Sequence, residues 1–456
     1  MNKIFLYICR MFQREVIKSL ENWKNSEGRK PLLIRGARQV GKTTVVHDWS
    51  QTFKQYIYLN LEISADISPF ENFTTMETLL NEIFFLKKQQ LQLKSETLLF
   101  IDEIQESERA IGLLRYFYEQ YPEIPVIAAG SLLESLFDTN SNFPVGRIQY
   151  MAVKPCSFKE FLGAIGEERL QEFLKIGPSP AYVHEELVKH FRTFAIIGGM
   201  PEIIKKYADK RDFTVLRTSF DALIQGYLDD VEKYASSEAQ ARVIRYCIQN
   251  VFIYAGKRIT FEGFGKGKYR SREIGEAMRI LEKAMLVQLV YPQLKNTLPF
   301  EQDSRKSPRL QFLDTGMLSY FNGLQLKLLG TDKIDSVYEG LIIEHLVGQE
   351  ILTTSNSILH KLHFWVREKA DTSAEIDYIF ERNGTLWPVE VKSGAVGKLR
   401  SLFQYMKTAE NRKAIRFYNG PYQTQTVEMF GDKPFELINL PWYLAGSLGN
   451  EFWEFD

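Results

Sequence analysis

Short apolar runs recur along the chain, and each is followed by a segment whose apolar positions repeat every three to four residues. "PLLIR" (31–35) precedes "TTVVHDWSQTF" (43–53), and "QYIYLNLEI" (55–63) precedes "METLLNEIFFLKKQQ" (76–90). "ETLLFID" (96–102) precedes "AIGLLRYFYEQY" (110–121), and "PVIAAGS" (125–131) forms a fourth run. Runs of this kind suit buried strands, and the segments after them suit helices. Their alternation predicts an α/β fold with a doubly wound parallel sheet, which collects ligands at the carboxyl ends of its strands.

From about residue 156 to 330 the pattern is mostly helical, as in "AYVHEELVKHFRTFAII" and "AQARVIRYCIQNVFIYAG". Gly198-Gly199-Met200-Pro201 breaks it, and Pro201 suits the first turn of a new helix, where its missing N–H costs little. A helix capped by Ser271, then the strand "MLVQLVYP", resembles a winged-helix arrangement. Lys266, Lys268, Arg270 and Arg272 stand just before that helix, where a winged helix meets a DNA backbone; a solvated basic loop is the plainer alternative. "RLQFLDTGMLSYF" reads as a strand and a helix with Asp314 as N-cap.

Near the C-terminus the period changes again. "AEIDYIFERNGTLWPVEVKSG" (374–394) reads as two strands joined by Asn383-Gly384, the strongest short signal for a two-residue type I′ turn. That turn sets Arg382 opposite Thr385, and therefore Asp377 opposite Glu390 and Glu375 opposite Lys392. Opposed residues share a face, so three acids and a lysine converge; two carboxylates that close repel unless a cation or proton lies between them. Pro388 inside the second strand raises the alternative of a bulge that slips this register.

Composition narrows the class. A length of 456 residues suggests roughly two to four domains. With 45% hydrophobic and 25% charged residues, and no apolar run near the ~18 residues a bilayer span needs, a soluble protein with no membrane partner is expected. Lys plus Arg and Asp plus Glu balance at 57 each, so the global field is not that of a general nucleic-acid binder, although a local basic face remains open. Cys9, Cys156 and Cys247 have no metal-site or disulfide spacing, and the apolar stretch closed by Arg10 is shorter than a signal-peptide core. The expected location is cytoplasmic.

Chemistry enters at the first strand-to-helix junction. Gly36-Ala37-Arg38-Gln39-Val40-Gly41-Lys42-Thr43 fits G-x-x-x-x-G-K-[ST] and lies where that pattern has a physical use. The glycines let backbone N–H groups close on phosphate oxygens, the helix N-terminus adds partial positive charge, and Lys42 adds a full one. The candidate nucleotide-binding residues are these eight with Thr44, and the Thr43 hydroxyl is a candidate Mg2+ ligand. The run Leu98–Ile101 drives a central strand that delivers Asp102 to hold the metal and Glu103 to orient or deprotonate the attacking water. Ser131, at the end of the fourth strand, is either a γ-phosphate sensor or the cap of the helix "LLESLF".

"IRGARQVGKTT", "LLFIDEIQ", "AAGSLLESL", "VGRIQYMAVKPCSFKEFL" and "GGMPEII" together resemble a family of bacterial and archaeal ATPases with a P-loop domain of the AAA superfamily and a C-terminal domain of poorly understood function. The resemblance covers essentially the whole chain. It implies Mg2+-dependent hydrolysis of ATP, with Lys42 and Glu103 catalytic. It also makes Arg147 a candidate γ-phosphate contact, in cis or across a subunit interface; an exposed ion pair is the alternative. The domains expected are an AAA core over 1–155, a helical lid over 156–235, a winged-helix-like region over 236–330 and a terminal α/β domain over 331–456.

That last domain looks like the restriction-endonuclease-like fold, in which an acid followed by acid-x-lysine holds magnesium and activates water. The resemblance assigns catalysis to Asp377, Glu390 and Lys392, makes Glu344 the first acid and Asp377 and Glu390 further metal ligands, and gives Gln404 a supporting place. Two function classes follow: an ATPase whose nuclease-like domain acts on DNA, and a nucleotide-gated switch whose inactive nuclease-like domain binds an unidentified protein partner. A homo-oligomer is compatible with either.

Overall fold

A computed structural model describes residues 12–130, 144–325, 336–369, 372–393 and 399–449. The chain forms two compact units, Met1–Lys154 with Asn356–Leu359 and Pro155–Ser355 with His360–Asp456.

The first unit is a three-layer α/β sandwich. Its strands are β1 (Leu32–Arg35), β2 (Gln55–Asn60), β3 (Thr97–Asp102), β4 (Val126–Ala129) and β5 (Gln149–Ala152), all parallel, in the order β2-β3-β4-β1-β5. The order follows from the side chains. Every residue of β3 and β4 is buried, as strands covered on both faces must be, whereas β2 alternates buried with half-buried positions and lies at the edge. Leu33, Leu99, Ile101 and Ala128 of the sheet pack with Leu79, Ile83, Leu114 and Phe117 of the helices Met76–Leu86 and Glu108–Gln120. Each such Leu, Ile or Phe contributes roughly 1.5–3 kcal/mol by leaving water. The carboxyl ends of β1 and β3 meet on one edge, with Asn60 of β2 in register with Asp102.

In the second unit, residues 158–254 are mainly helical, including Ala181–Ile197, Pro201–Lys210 and Glu238–Tyr254, with Pro201 in the first turn as expected. The helix Ser271–Lys283 follows. Ser271 is its first helical residue and Arg270 its N-cap position, so the expected Ser271 cap is corrected: Glu273 Oε2 receives the Arg270 N–H at 2.8 Å. Strands β6 (Val287–Val290), β7 (Pro292–Gln293) and β8 (Arg309–Phe312) come next, and β6 pairs antiparallel with β8. Asp314 caps the helix Thr315–Phe321, accepting from Met317 N at 3.0 Å, and a long helix spans Ser336–Thr353.

The terminal region contains β9 (Phe364–Lys369), β10 (Thr372–Ile376), β11 (Tyr378–Arg382), β12 (Thr385–Val391), the helix Arg400–Met406, β13 (Lys413–Tyr418), β14 (Gln423–Val427) and β15 (Phe435–Pro441). One mixed sheet runs β11-β12-β13-β15-β14, and a smaller one runs β10-β9-β7. Asn383 and Gly384 both have positive φ, 51° and 77°, as a type I′ turn requires, and Arg382↔Thr385 through Tyr378↔Val389 keep the expected register. Pro388 causes no bulge. Ile379 opposite it sends its N–H to His363 O, away from β12, and pairing of β12 with β13 starts only at Val389, so no ladder bond needs the missing Pro388 N–H.

The long first strand of the expected hairpin is corrected. It breaks at Asp377. Residues 372–376 leave the hairpin and pair with β9, so Glu375 faces Val366 and not Lys392. The break turns the Asp377 carboxylate onto the backbone N–H of Val391, with Oδ2 at 2.7 Å.

Candidate functional site

At the head of the helix Lys42–Ser50, Gln39 and Gly41 both adopt positive φ, 62° and 91°, so the backbone between β1 and the helix curls tightly before its first turn. The N–H groups of that first turn have no partners inside the helix, and they point at the strand edge. Gly36 is fixed by packing. A Cβ there would lie 2.3 Å from the Val153 carbonyl oxygen.

Lys42 is buried and donates from Nζ to Gly36 O at 2.9 Å and Ala37 O at 3.0 Å. Burial lowers its pKa to about 8; Glu103 and Asp102 pull the value back up and Arg38 adds to the lowering. Thr43 Oγ1 donates to Asp102 Oδ2 at 2.7 Å, and Tyr58 OH reaches the same oxygen at 3.3 Å. Burial raises the Asp102 pKa against these donors. Glu103 has φ of 50°, a rare value for a residue with a side chain, and Gln105 Nε2 holds its Oε2 at 2.6 Å. A hydroxyl and a carboxylate oxygen side by side at a helix N-terminus are hard donors of the kind Mg2+ takes, so Thr43 and Asp102 fit that ion.

Two residues here were not legible from the motif. Arg14, before the first helix, donates from Nη1 to Val40 O at 3.1 Å and from Nη2 to Lys154 O at 2.7 Å, tying the phosphate loop to the segment after β5. Tyr58 reaches Asp102 because β2 neighbours β3. The motif contains no signal for either contact.

Arg147 lies elsewhere. β5 runs parallel to β1 with Leu32↔Gln149 and Arg35↔Ala152, so Arg147 stands before the amino end of β5 while the phosphate loop follows the carboxyl end of β1. Four strand residues separate those edges by roughly 13 Å. Its Nε meets Glu119 Oε1 at 3.3 Å, an oxygen that Arg115 also contacts at 2.9 Å. A γ-phosphate contact in cis is therefore corrected to an exposed ion pair. Ser131 lies outside the described residues.

In the second unit Glu344, Glu375 and Asp377 do converge, but on an arginine. Arg309 of β8 is 5% exposed; it donates from Nη1 to Glu344 Oε1 at 2.7 Å and to Asp377 O at 2.9 Å, bonds Glu375 through Nη2, and lies 3.8 Å from Asp377 Oδ1. Its guanidinium carbon stands 4.9 Å from the Phe364 ring centroid and 5.8 Å from that of Tyr378. Burial would lower the Arg309 pKa, yet Glu344, Asp377 and Glu375 together raise it. Lys392 bonds Glu390, and Glu390 Oε2 is buried with no hydrogen-bond partner. Burial and then Asp377 push Glu344 and Glu390 each up to about 8. Gln404 stands apart, accepting from Arg367 Nη1 at 2.7 Å.

This second donor set does not fit Mg2+. The oxygens of Glu344 and Asp377 that would face an ion face a guanidinium, the remaining Asp377 oxygen is bonded to backbone, and two aromatic faces flank the centre. Among the described residues no group of three or more His, Cys, Asp or Glu is arranged to hold a metal ion.

Residues 28–162 match the family model described as an AAA domain, and residues 188–328 and 339–443 match two domains of unknown function, DUF8612 and DUF4143. No curated protein matches the sequence. Among solved structures, the Walker-type ATPase PABY2304 of Pyrococcus abyssi is similar at 16% identity and a TM-score of 0.44, covering 68% of this chain and 96% of that one. The RuvB Holliday junction branch migration motor of Thermotoga maritima is similar at 16% identity and a TM-score of 0.28, covering 61% of this chain and 90% of that one. The Aeropyrum pernix ORC1 protein in complex with DNA stands at 10% and 0.28, covering 69% and 92%. Such identities and scores are too low to carry a function across. No helix among the described residues is long and apolar enough to cross a membrane. The AAA match over residues 28–162 and the five-stranded parallel sheet agree: the first unit has the fold of an AAA domain.

Proposed function

We propose that this chain binds ATP with Mg2+ at the loop Gly36–Thr43 and hydrolyses it, and that nucleotide state gates a C-terminal domain that recognises a partner without cutting it. The hydrolytic half rests on one observation: Lys42, Thr43 and Asp102 converge at the carboxyl edge of β1 and β3, with the Thr43–Asp102 contact at 2.7 Å. In this reading the loop N–H groups and Lys42 hold the polyphosphate, Thr43 and Asp102 hold Mg2+, and Glu103 orients the water. When bound, the ion offsets charge on the β- and γ-phosphate oxygens. Turnover should be lost in Lys42→Ala, and Glu103→Gln should keep nucleotide binding while hydrolysis stalls. Unchanged turnover in both variants would refute the assignment.

The non-cutting half is favoured over a nuclease by Arg309, whose guanidinium stands among the acids that a nuclease would give to metal. DNA remains a candidate partner for a separate reason. Lys266, Lys268, Arg270 and Arg272 are all exposed at the start of the helix Ser271–Lys283, which the β6–β8 pair follows in the chain. Duplex binding that weakens steeply with salt and is reduced in Lys266→Ala/Lys268→Ala would support DNA; cleavage by wild type that is lost in Asp377→Ala and Lys392→Ala would restore the nuclease. Binding to neither would leave a protein partner, and a trans role for Arg147 would then be sought in a homo-oligomer.

A further inference from the structure

We infer that the acidic cluster of the C-terminal region is a socket for the Arg309 guanidinium, which takes the position a divalent cation would otherwise hold. This goes beyond the reading above and does not depend on nucleotide turnover. Three features carry it, and they are independent of one another.

The first is the match of donors to acceptors. Both terminal nitrogens of Arg309 are engaged, Nη1 with Glu344 Oε1 and the Asp377 carbonyl, Nη2 with Glu375. A planar fork of N–H groups aimed at carboxylates on different elements is what a guanidinium offers, while a metal ion would take one oxygen from each acid at a single point. The second is the surrounding surface. Phe364 and Tyr378 flank the guanidinium at 4.9 and 5.8 Å, and aromatic faces attract a weakly hydrated planar cation but add nothing to an ion that takes only oxygen ligands.

The third is the scaffold around Arg309. Its strand is fixed against the helix Ser336–Thr353 by Gln311 Nε2 to His345 O at 3.1 Å, and by Phe312 N to His345 Nε2 at 3.2 Å. Thr315 N to Gln349 Oε1 at 3.0 Å continues the same seam. Arg309 therefore stands on the buried side of an anchored strand, 5% exposed, and is not a surface arginine that swings into the cluster. The socket joins β8 to the helix carrying Glu344 and to the break carrying Asp377, so its role is to hold these elements together.

Manganese counting on the full chain tests this without any activity. Metal-free protein without nucleotide is titrated with Mn2+, and free ion is followed by electron paramagnetic resonance for wild type, Asp377→Asn, Arg309→Ala and Arg309→Ala/Asp377→Asn. Wild type and Asp377→Asn should bind the same number of ions, Arg309→Ala should gain one per chain, and the double variant should lose it again. A wild-type ion lost in Asp377→Asn would overturn the inference, and so would a folded Arg309→Ala that gains none. If Arg309→Ala does not fold, the first comparison still decides: equal counts uphold the socket and a lost ion refutes it.

Discussion

Thr43 Oγ1 donates to Asp102 Oδ2 at 2.7 Å, joining the head of the helix after β1 to the carboxyl end of β3. The two residues are distant in sequence and meet only because β3 and β1 flank β4 in a parallel sheet that brings both carboxyl ends to one edge. In the proposed reading these two hard oxygens would hold Mg2+, and the ion would supply positive charge to offset that of the polyphosphate.

That pair should set the metal requirement. Asp102→Asn keeps the shape and removes the charge, and Thr43→Val removes the hydroxyl; each should raise the Mg2+ concentration for half-maximal turnover by roughly 10- to 100-fold, the range seen when groups that hold or orient a metal are altered. Chelation with EDTA should stop wild-type turnover, and added Mg2+ should restore it. An unchanged half-saturating Mg2+ concentration in Asp102→Asn would remove Asp102 from the site.

The buried Lys42 gives nucleotide binding a pH limit. Burial brings its pKa from 10.5 down to about 8. Between those values the unfolded chain carries a proton that the folded one lacks, so this group makes the fold more stable as pH rises from about 8 to 10.5. Binding runs the other way. The triphosphate needs the charged ammonium, so affinity should fall above pH 8 by up to about tenfold per pH unit, with proton uptake on binding. Calorimetry at pH 8 in buffers of different ionisation enthalpy reads that uptake directly, and its absence would show that Lys42 is already charged.

Parts of this arrangement could be read from the chain because their causes are local. The phosphate loop is set by Gly36, Gly41 and Lys42 between an apolar strand and a helix, and Asp102 ends a run whose four apolar residues leave no choice but a central strand. Asn383-Gly384 fixed the register of Tyr378–Arg382 against Thr385–Val389 in the same way. Other features have distant causes. The break at Asp377 depends on β9 taking β10 as its partner, and no periodicity in residues 372–382 marks it. Arg309 opens a short strand, β8, that looks ordinary in sequence, and only the packing of β8 on the helix Ser336–Thr353 turns it toward three acids. Arg147 stands before the amino end of β5, and the direction of that strand, which the residues around Arg147 do not show, sets it away from the phosphate loop of its own chain.

Arg14 should act as a positioning residue for the phosphate loop. Its guanidinium spans the Val40 and Lys154 carbonyls and so holds the residue between the two positive-φ positions, Gln39 and Gly41. Hydrogen bonds from charged groups contribute about 1.5–3 kcal/mol each. Arg14→Ala should therefore weaken ATP binding by roughly tenfold or more through loss of one such bond, with kcat changed less than KM. Arg14→Lys reaches one carbonyl at most and should fall between the two. Equal affinities for all three proteins would show that the loop keeps its shape unaided.

Glu390 makes the stability of the second unit depend on pH. Its Oε2 is buried without a partner, and burial with the nearby Asp377 charge raises its pKa from 4.5 to about 8, against Lys392. A folded pKa above the unfolded one means that the folded chain keeps a proton the unfolded chain has released. The stabilisation is complete below about pH 4.5 and is lost as pH rises through 8. Glu390→Gln keeps the volume and hydrogen-bonding capacity without an ionisable proton, so its melting midpoint should vary less across this range. Above pH 8 the variant should melt about 2–4 °C higher than wild type for each kcal/mol of buried charge removed. Thermal melts of both proteins at matched ionic strength, without nucleotide, measure the difference. Parallel pH profiles would mean that Lys392 fully compensates the ionised carboxylate and that the unpartnered oxygen bears no net charge cost.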